Sequence, residues 1–492
     1  MVEHNVCKIP PAHAGGTDAS LPAIYTFNPT HPGASVMAQG TSPSLELTDI
    51  QGNVIRSYSM PLARYFFLAV TDAAKAKTAL KQVIPLVTSA EEWDEKPEYT
   101  FNLAFNYNGL AALGVSADAL ALFVPEFQKG MKSQAGILGD TGVSSPSNWE
   151  PALAGSNLHI MVALYSKTSD ARESQSIQLR NAVTESGGLS LLYEQDCAVL
   201  TEGREHFGFE DGMSQPSVAG DGLKNMPGQG TPQADGTWKP LQPGEFVLGY
   251  PDEAGEQIIA KGPNDLRING SYLVVRKLKQ NVTQFRTFIQ QTADQYFGDT
   301  SAAMQEQIAA KMIGRWRSGA PLSLTPDKDD PTLAADESRN NDFRFGKDPV
   351  GYGCPRGSHI RRCNPRDALD GTSTVVRRHR MMRRGIAYGP MLPPGAKDDG
   401  VDRGLFFVAA VADIQRQFQF VQQQWVNRGD FADLDMAEKD AIIGNNNNDG
   451  QFSIPSEDMP HMVFDLPRFV VTRGGDYFFL PGIKALGQIA GS

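Results

Sequence analysis

Four apolar runs along the chain share one arrangement of hydrophobic and polar positions. Each run is rich in β-branched and aromatic residues, ends close to Asp, Asn, Ser or Thr, and is followed by a segment with helical character. A buried strand that leads into a capped helix produces this pattern. We therefore predict strands at "RYFFLAV" (64–70), "LHIMVALYS" (158–166), "SYLVVRKL" (271–278) and "GLFFVAAVA" (404–412).

Each predicted strand leads into a predicted helix through a short polar stretch. Apolar residues at helical spacing follow the first, third and fourth strands, whereas the segment after the second is mostly polar. The first predicted helix is 73–84, capped by Thr71 or Asp72, and the second is a polar helix that follows Thr168, Ser169 and Asp170. The third follows the cap Asn281 and has Val282, Phe285 and Ile289 on one face. The fourth follows the cap Asp413 and has an apolar face of Ile414, Phe418, Val421 and Trp425.

Two of these units fall in each half of the chain, which predicts a duplicated α+β fold. In each half, a sheet would be covered on one face by helices. Composition supplies the boundaries, because stretches rich in Gly and Pro rarely form regular structure. We predict an irregular N-terminal arm (1–44), a first module (45–220), a linker or loop (221–245) and a second module (246–492).

Charge and hydropathy exclude several classes of protein. The chain has 492 residues and a formal net charge of −11, which argues against binding to nucleic acid or to an anionic membrane. It contains no apolar run long enough to span a bilayer. The N-terminus "MVEHNVCKIPPAHAGG" lacks the basic start and apolar core of a secretory leader, so we expect a cytoplasmic protein.

The cysteines and histidines do not form a conventional metal motif. The pair Cys354 and Cys363 lacks zinc-site spacing, so we expect free buried thiols. Among the eight histidines, His359 in "CPRGSHIRRCNPRD" is the better candidate for a ligand, with His206 as the alternative. Neither has an HxH, HxxxH or HExxH partner. A single imidazole is nevertheless sufficient for haem iron, because the porphyrin supplies four nitrogens.

Two further stretches contain candidate functional side chains. "HFGFEDGMSQP" (206–216) places Glu210 and Asp211 between glycines, which by itself favours a surface turn. "RRHRMMRRGIAYGP" (377–390) is a cationic run, most of which we expect to be a solvated patch. A buried arginine in that run would require an anion nearby. The sequence shows no Walker loop, no G-x-S-x-G elbow and no dinucleotide fingerprint after a strand.

Taken together, the motifs resemble those of the dye-decolourising (DyP-type) haem peroxidases, in particular the larger bacterial and fungal subgroup. The hallmark G-x-x-D-G element of that family corresponds to Gly208–Gly212. The resemblance covers most of the chain, through "LTDIQGNVIRSY" (47–58), "FGFEDGMSQPS" (207–217), "MIGRWRSGAPL" (312–322), "CPRGSHIRRCNPRD" (354–367), "RRGIAYGP" (383–390), "GLFFVAAVADIQRQFQFVQQQW" (404–425) and "PRFVVTRGGDYFFLPG" (467–482).

The resemblance implies a fold, a cofactor and an activity. The fold is a pair of ferredoxin-like modules with antiparallel sheets covered by helices, in a dimeric α+β barrel-like arrangement, with haem b in the C-terminal half. The activity is peroxidase chemistry, in which H2O2 oxidises dyes, phenolics and other one-electron donors through a ferryl intermediate. The resemblance leaves open the physiological reductant, the use of Mn²⁺ and any homo-oligomeric assembly.

Carried over position by position, the resemblance also implies roles for individual residues. His359 is the expected proximal iron ligand, and Asp211 and Arg383 are the expected distal catalytic pair. Other residues expected near the haem are Leu405 and Phe407 in the distal pocket, Arg361 at a propionate, and either Asp413 or Asp465 as partner of the proximal imidazole. Tyr388 and Trp425 are candidates for passing electrons inward from the surface, although the apolar helix face of Trp425 favours core packing for that residue. Glu210 is expected to point away from the pocket and to be dispensable.

Two other functions remain open on the sequence. A haem carrier or sensor could use the same scaffold, although a carrier does not need a distal Asp–Arg pair. A structural protein without a cofactor could carry "GFEDG" merely as a turn. Turnover of peroxide distinguishes the first from an enzyme, and a colourless preparation after haem supplementation would indicate the second.

Overall fold

The computed structural model describes residues 44–257, 262, 264–434 and 437–491. The predicted N-terminal arm (1–44) lies outside these residues, apart from its last position. Strands are β1 (Leu62–Val70), β2 (Tyr99–Phe105), β3 (Ile160–Ser166), β4 (Leu189–Ala198), β5 (Thr231–Pro232), β6 (Trp238–Lys239), β7 (Ser271–Gln280), β8 (Met382–Arg383), β9 (Ile386–Tyr388), β10 (Gly404–Val411), β11 (Gly450–Ile454), β12 (His461–Leu466) and β13 (Val470–Leu480).

The helices are mostly short, and the longest follow the predicted strands. They are α1 (Gly52–Ile55), α2 (Ala73–Val83), α3 (Tyr107–Ala112), α4 (Ala117–Leu120), α5 (Pro125–Lys129), α6 (Ala135–Leu138), α7 (Pro151–Ala154), α8 (Ser169–Ser186), α9 (Val282–Phe297), α10 (Ala302–Ile313), α11 (Pro331–Ala335), α12 (His359–Cys363) and α13 (Ile483–Ala490). Two π-helical segments, Gln415–Gln419 and Val421–Val426, follow β10. None of the described helices is both long and apolar enough to cross a membrane.

The predicted strand–helix units are present, but the expected cap of the third unit was wrong. Asn281 makes no capping hydrogen bond to α9, and its side-chain amide donates to the Arg468 carbonyl at 3.1 Å instead. Asp72 caps α2 by accepting a hydrogen bond from the Lys75 N–H at 3.0 Å, and Thr168 caps α8 through the Ala171 N–H at 3.2 Å. The fourth unit differs from the prediction, because the segment after β10 is π-helical. There, the Asp413 carboxylate still accepts from the Arg416 N–H at 2.9 Å, so it satisfies a free backbone donor at the start of this segment.

The sheet order shows the duplication directly. The first module orders its antiparallel strands β4-β1-β3-β2, and the second orders its strands β13-β7-β10-β8, with β9 also paired to β10. In each module, the first strand of the unit lies between the last and the third, which is the ferredoxin-like order. The predicted duplicated α+β fold is therefore confirmed.

The two sheets join into one nine-stranded sheet through a single residue pair, Phe105 and Phe479, with eight strands in one hydrogen-bonded path and β9 paired to β10 beside it. They also pack face to face, since Tyr65 and Phe67 of β1 contact Phe406 of β10 with ring centroids 4.5 Å and 5.9 Å apart. Within the described residues, no strand pairing closes the ends of this path, so the arrangement is barrel-like without being a closed barrel.

The outer faces of the two sheets are covered differently. In the first module, α2 and α8 pack directly on the sheet through Leu80, Val83, Leu179 and Val183. In the second module, a cavity separates part of the outer sheet face from the helices. The segment predicted as a linker (221–245) carries the β5–β6 hairpin and fully buries Leu241 and Glu245.

Candidate active site

A cavity of about 350 Å³ lies on the outer face of the second sheet, opposite α12. Alternate residues of β7 and β10 form one wall, and the imidazole of His359 belongs to the facing wall. The volume is within the range of small-molecule and cofactor sites. Its lining includes apolar groups (Leu278, Leu405, Phe407, Phe418, Val421 and Val470), carboxyl groups (Asp140, Glu205, Glu210 and Asp211) and guanidinium groups (Arg276, Arg315, Arg366, Arg380, Arg383 and Arg468).

The G-x-x-D-G element forms a tight loop at one side of this cavity. Gly208 and Gly212 have φ values of 97° and 82°, a region in which a side chain would be strained. The Glu205 carboxylate accepts hydrogen bonds from the Phe207 and Phe209 N–H groups, both at 2.9 Å. The two glycines and this carboxylate therefore fix the backbone that carries Asp211.

The loop and Arg383 are tied to each other, which brings Asp211 and Arg383 to the same part of the cavity wall. The Arg383 N–H donates to Gln215 Oε1 at 3.0 Å, and Arg383 Nη2 donates to the Ser214 carbonyl at 3.2 Å. Asp211 Oδ1 accepts from the Gly212 N–H at 2.7 Å. Both Asp211 and Arg383 line the cavity, and neither forms an ion pair with a described residue.

Glu210 also lines the cavity, contrary to the expectation that it points away. Its carboxylate lies beside Gly319, where a Cβ would be only 2.6 Å from Glu210 Oε2. Partial burial raises the pKa of Glu210 above its ordinary value. The sequence alone could not show this, because the turn between Gly208 and Gly212 decides where each side chain points.

Leu405 and Phe407 are both in the cavity wall, one pleat apart on β10. Phe406, between them, is fully buried against the first module. This alternation follows from the period of two in a strand.

His359 is positioned at the start of α12 and is held by a buried acid. Its Nδ1 lies 2.9 Å from Asp440 Oδ2, and no hydrogen-bond partner for Nε2 is found among the described residues. Asp440 is fully buried, and its Oδ1 accepts from the Ile442 and Ile443 N–H groups at 2.8 Å and 2.9 Å. The carboxylate therefore holds the proton on Nδ1 and leaves Nε2 as the free ligand atom.

The electrostatics of this pair agree with its geometry. Burial alone would lower the pKa of His359, but the acidic neighbours Cys363 and Asp440 outweigh burial and raise it. Burial alone would raise the pKa of Asp440, yet the adjacent imidazole and backbone N–H groups lower it. Asp440 is thus the ionised partner, and His359 the hydrogen-bond donor.

The imidazole partner expected from the sequence was therefore wrong in both of its alternatives. Asp413 caps the π-helical segment, and Asp465 is an exposed residue of β12. His359, Cys363 and Asp440 also bring their ligand atoms within 4.8 Å of one another. The 2.9 Å imidazole–carboxylate distance is that of a direct hydrogen bond, so His359 and Asp440 are better described as a hydrogen-bonded pair than as two ligands of one ion.

Five arginines line the cavity without an ion pair to any described residue: Arg315, Arg366, Arg380, Arg383 and Arg468. Burial, together with the guanidinium groups of Arg315 and Arg380, holds the pKa of Arg366 well below its ordinary value. Burial and Arg383 lower the pKa of Arg380 to about 10. Arg380 Nη2 is buried without a hydrogen-bond partner. Such a cluster is unfavourable unless an anion occupies the cavity.

Arg361 is not part of this cluster, which contradicts its expected contact with a propionate. It is 3% exposed, and its guanidinium donates to the Cys354 and Asp348 carbonyls at 2.6 Å and 2.8 Å. It also stacks on Phe345 at 4.7 Å. All of these contacts lie outside the cavity wall, so Arg361 stabilises the segment that leads into α12.

The expectation of a solvated patch for the cationic run was wrong for most of its members. Arg380 is buried, Arg383 is half-buried in the cavity wall, and Arg384 donates to the Asn53 carbonyl at 2.8 Å. Arg378 pairs with Asp252 at 2.6 Å. Only Arg377 has an exposed residue surface and a single ion pair, to Glu253.

Tyr388 and Trp425, the two candidates for surface electron transfer, are both buried. They are 3% and 4% exposed. Tyr388 donates to Asp402 at 3.2 Å, and Trp425 packs in an aromatic cluster with Phe420 and Phe431. Neither can therefore contact a bulky donor directly.

Sequence reasoning missed three residues of the site: Asp440, Arg366 and Arg380. A weak signal existed for Arg366, which follows His359 by seven residues in the same motif. Arg380 stood within a run that looked solvated, and Asp440 had no distinguishing neighbour. Cys197 and Cys354 are buried free thiols, as expected, whereas Cys363 is a free thiol that is only partly buried and lines the cavity.

Comparisons with known proteins agree with this fold. The model of the DyP dimeric alpha+beta barrel domain matches residues 49–192, and the model of the C-terminal part of Dyp-type peroxidases matches residues 202–439. The chain is 33% identical to a dye-decolorizing peroxidase of Mycetinis scorodonius over 93% of this chain and 90% of the relative. It is 31% identical to one of Auricularia auricula-judae over 99% of this chain and 94% of the relative.

Solved structures show the same relationship. A crystal structure of a fungal DyP-type peroxidase from Auricularia auricula-judae superimposes with a TM-score of 0.78 at 30% identity, covering 91% of this chain and 100% of that one. The chain therefore belongs to the family of dye-decolourising (DyP-type) peroxidases. The resemblance and the fold class expected from the sequence are confirmed.

Proposed function

We propose that the cavity binds haem b and that the chain uses it as a peroxidase, with H2O2 oxidising dyes, phenolics and other one-electron donors. One observation carries the proposal. The cavity that presents a free imidazole Nε2 is also lined by five arginines without an ion pair to a described residue and by the loop of the family's G-x-x-D-G element. Family membership supports the use of haem, since DyP-type peroxidases depend on it.

The residues present fit this group. A haem needs an axial ligand, apolar walls for the porphyrin and cations for its two carboxylates. His359 supplies the first, Leu405 and Phe407 are part of the second, and Arg366 and Arg380 are the best-placed cations. The buried, unpartnered Nη2 of Arg380 is a donor that a carboxylate would satisfy.

When bound, haem supplies the iron centre at which peroxide is reduced and to which donors return electrons. On the proximal side, Asp440 keeps the Nδ1 proton of His359 in place and fixes the ring orientation. A hydrogen bond of this kind increases the basicity of a ligating imidazole. The chain thus fixes both the tautomer and the donor strength of its ligand.

On the distal side, Asp211 moves the proton and Arg383 stabilises charge. The Asp211 carboxylate takes a proton from one peroxide oxygen and delivers it to the other, which leaves as water. The Arg383 guanidinium stabilises negative charge that develops on the leaving oxygen. The hydrogen bonds from Arg383 to Ser214 and Gln215 support this assignment, because they hold loop and guanidinium together.

Leu405 and Phe407 narrow the distal side and exclude water and bulky donors from it. Small phenols suit such a pocket better than large dyes. A related DyP has been solved in complex with 2,6-dimethoxyphenol, with a TM-score of 0.78 to this chain. Oxidation of large dyes would then require electron transfer through the protein. Because Tyr388 and Trp425 are buried, they could relay electrons along such a path but could not contact the dye.

The decisive experiment compares two histidines of the same cavity. Wild-type protein reconstituted with haem should show a Soret band and oxidise ABTS when H2O2 is added. His359→Ala should lose haem, whereas His379→Gln, whose Nδ1 lies 2.6 Å from the Arg416 carbonyl, should keep it. A normal haem spectrum in His359→Ala would overturn the ligand assignment. Haem binding without peroxide turnover would instead favour a carrier or sensor.

A further inference from the structure

The cavity contains a second cationic group that the proposed function does not use. Arg276 on β7 and Arg468 just before β13 both line the cavity and are only 3% and 7% exposed. Arg276 Nε and Arg468 Nη2 are buried without a hydrogen-bond partner among the described residues. We refer to Arg276, Arg468, Asp140 and Thr472 as the Arg276–Arg468 subsite.

The subsite carries an excess positive charge. Arg276 Nη2 donates to Asp140 Oδ1 and, at 2.6 Å, to Thr472 Oγ1, which in turn donates to Asp140 Oδ1 at 2.8 Å. Arg468 donates to the Thr141 and Asn446 carbonyls at 2.9 Å and 3.3 Å but forms no ion pair with a described residue. Two guanidinium groups thus face one carboxylate. Burial lowers the pKa of Arg468, and Arg276 adds to that shift.

Apolar and aromatic groups flank these cations. The Arg276 guanidinium lies 5.6 Å from the centroid of the Phe418 ring, and Phe418 lies 6.4 Å from Phe407. Leu138 and Val426 line the same end of the cavity. A buried cation beside an aromatic wall matches a ligand that joins a flat ring to an anionic group.

The subsite is separate from the arginines assigned to the cofactor. Strand β10 lies between β7, which carries Arg276, and β8, which carries Arg383. The pairing Phe407↔Arg276 and Ala409↔Arg383 places Arg276 and the distal Arg383 on opposite sides of β10, about 10 Å apart across two strand spacings. Arg366, which is assigned to the cofactor carboxylates, has the guanidinium groups of Arg315 and Arg380 as its cationic neighbours, whereas Arg468 has that of Arg276. The two carboxylates of a haem lie on one edge of the porphyrin, so one cluster can bind them and the other remains unpaired.

We propose that the Arg276–Arg468 subsite binds the carboxylate of a small aromatic acid, with the ring of that acid against Phe418. An aromatic acid that also carries a phenolic hydroxyl would be held there as an electron donor. Each donor gives up one electron and its phenolic proton, so two donors and one H2O2 yield two phenoxyl radicals and two waters. This inference rests on the proposed function, because it assumes haem in the same cavity.

The test compares an acid with its neutral analogue in the haem-loaded protein. The probes are 4-hydroxybenzoate and 4-hydroxybenzyl alcohol, with calorimetric Kd and steady-state kinetics as readouts. Wild type should bind the acid more tightly than the alcohol. Arg468→Gln should raise the Kd and KM for the acid at least about tenfold, with kcat and the values for the alcohol little changed. Arg468→Lys should retain part of the preference for the acid.

Arg473→Gln is the matched control, because Arg473 lies on β13, close to Arg468 in the chain, and is not part of the cavity wall. It should behave as wild type. Equal binding of acid and alcohol by wild type, or an unchanged Kd in Arg468→Gln, overturns the subsite. Loss of haem from Arg468→Gln also overturns it, since the cofactor carboxylates would then lie at this end. Failure of the proposed function is distinguishable, because wild type would then not oxidise ABTS with H2O2.

Discussion

Asp440 lies 2.9 Å from Nδ1 of His359, and the two residues are 81 positions apart in the chain. The other oxygen of Asp440 accepts from two backbone N–H groups, so the carboxylate cannot rotate away from the imidazole. This single contact sets which nitrogen of His359 faces the cavity. In the proposed function, it therefore determines whether His359 can act as the axial ligand of the haem.

Asp440→Asn should weaken haem binding about 10- to 100-fold and raise the Fe(III)/Fe(II) potential. The amide oxygen can keep the two backbone hydrogen bonds, so the fold should survive, but the amide NH2 then faces the Nδ1–H donor. Titration with haem measures the change in affinity, and redox potentiometry measures the change in potential. Asp413→Asn is the control, because Asp413 caps the segment after β10 and does not contact His359. Equal effects of both substitutions would contradict the role of Asp440.

The fold could be predicted from the sequence because its signals are local. The run 64–70 and the cap Asp72 are adjacent in the chain, and the structure has β1 and α2 at those positions. The ferredoxin-like topology of the two modules was implied by the family resemblance and not by the local pattern. The π-helical form of the segment after β10 could not be predicted, because the apolar spacing of an α-helix and that of a π-helical segment are similar.

The site could be predicted only where its residues belong to a motif. His359, Asp211 and Arg383 each stand in a recognisable stretch, and all three line the cavity. Asp440 is one of 56 acidic residues, and nothing in its neighbours marks it. The sequence did not identify Arg380 as a site residue for a different reason. A run of charges is usually solvated, and only tertiary packing shows that this arginine is buried.

Asp211→Asn should slow the reaction with peroxide by about 100-fold or more, while haem content stays normal. An amide cannot take up the proton that the carboxylate relays. Stopped-flow spectroscopy of the Soret band after mixing with H2O2 measures the rate. Glu210→Gln is a demanding control, because Glu210 lines the same cavity. It should change the rate by less than about tenfold, and a loss as large as that in Asp211→Asn would assign the proton relay to the wrong residue.

Arg380→Met should affect the apoprotein and the haem complex in opposite directions. Removing a buried cation whose Nη2 has no partner should raise the Tm of the apoprotein. The same substitution should weaken haem binding roughly 10- to 100-fold, since it removes a charge-assisted hydrogen bond to a carboxylate. Differential scanning fluorimetry measures the Tm of the apoprotein, and titration with haem measures the haem affinity. Arg377→Met, at an exposed ion pair with Glu253, should leave haem affinity unchanged. A lowered apoprotein Tm with unchanged haem affinity would show that Arg380 has a purely structural role.

His206 predicts a pH dependence of folding. It is 2% exposed, its Nε2–H donates to the Tyr388 carbonyl at 2.8 Å, and burial lowers its pKa below the ordinary value. The unfolded chain therefore binds a proton more readily than the folded one. The stability due to this residue is complete above an ordinary His pKa of about 6.5 and is lost as the pH falls below it. Urea unfolding at pH 7.5 and 5.5 measures how much the free energy of unfolding falls between the two pH values. That fall should be about 1 kcal/mol smaller in His206→Gln than in wild type. An equal fall in the free energy of unfolding of wild type and His206→Gln would mean that His206 is protonated to the same extent in the folded and unfolded chains.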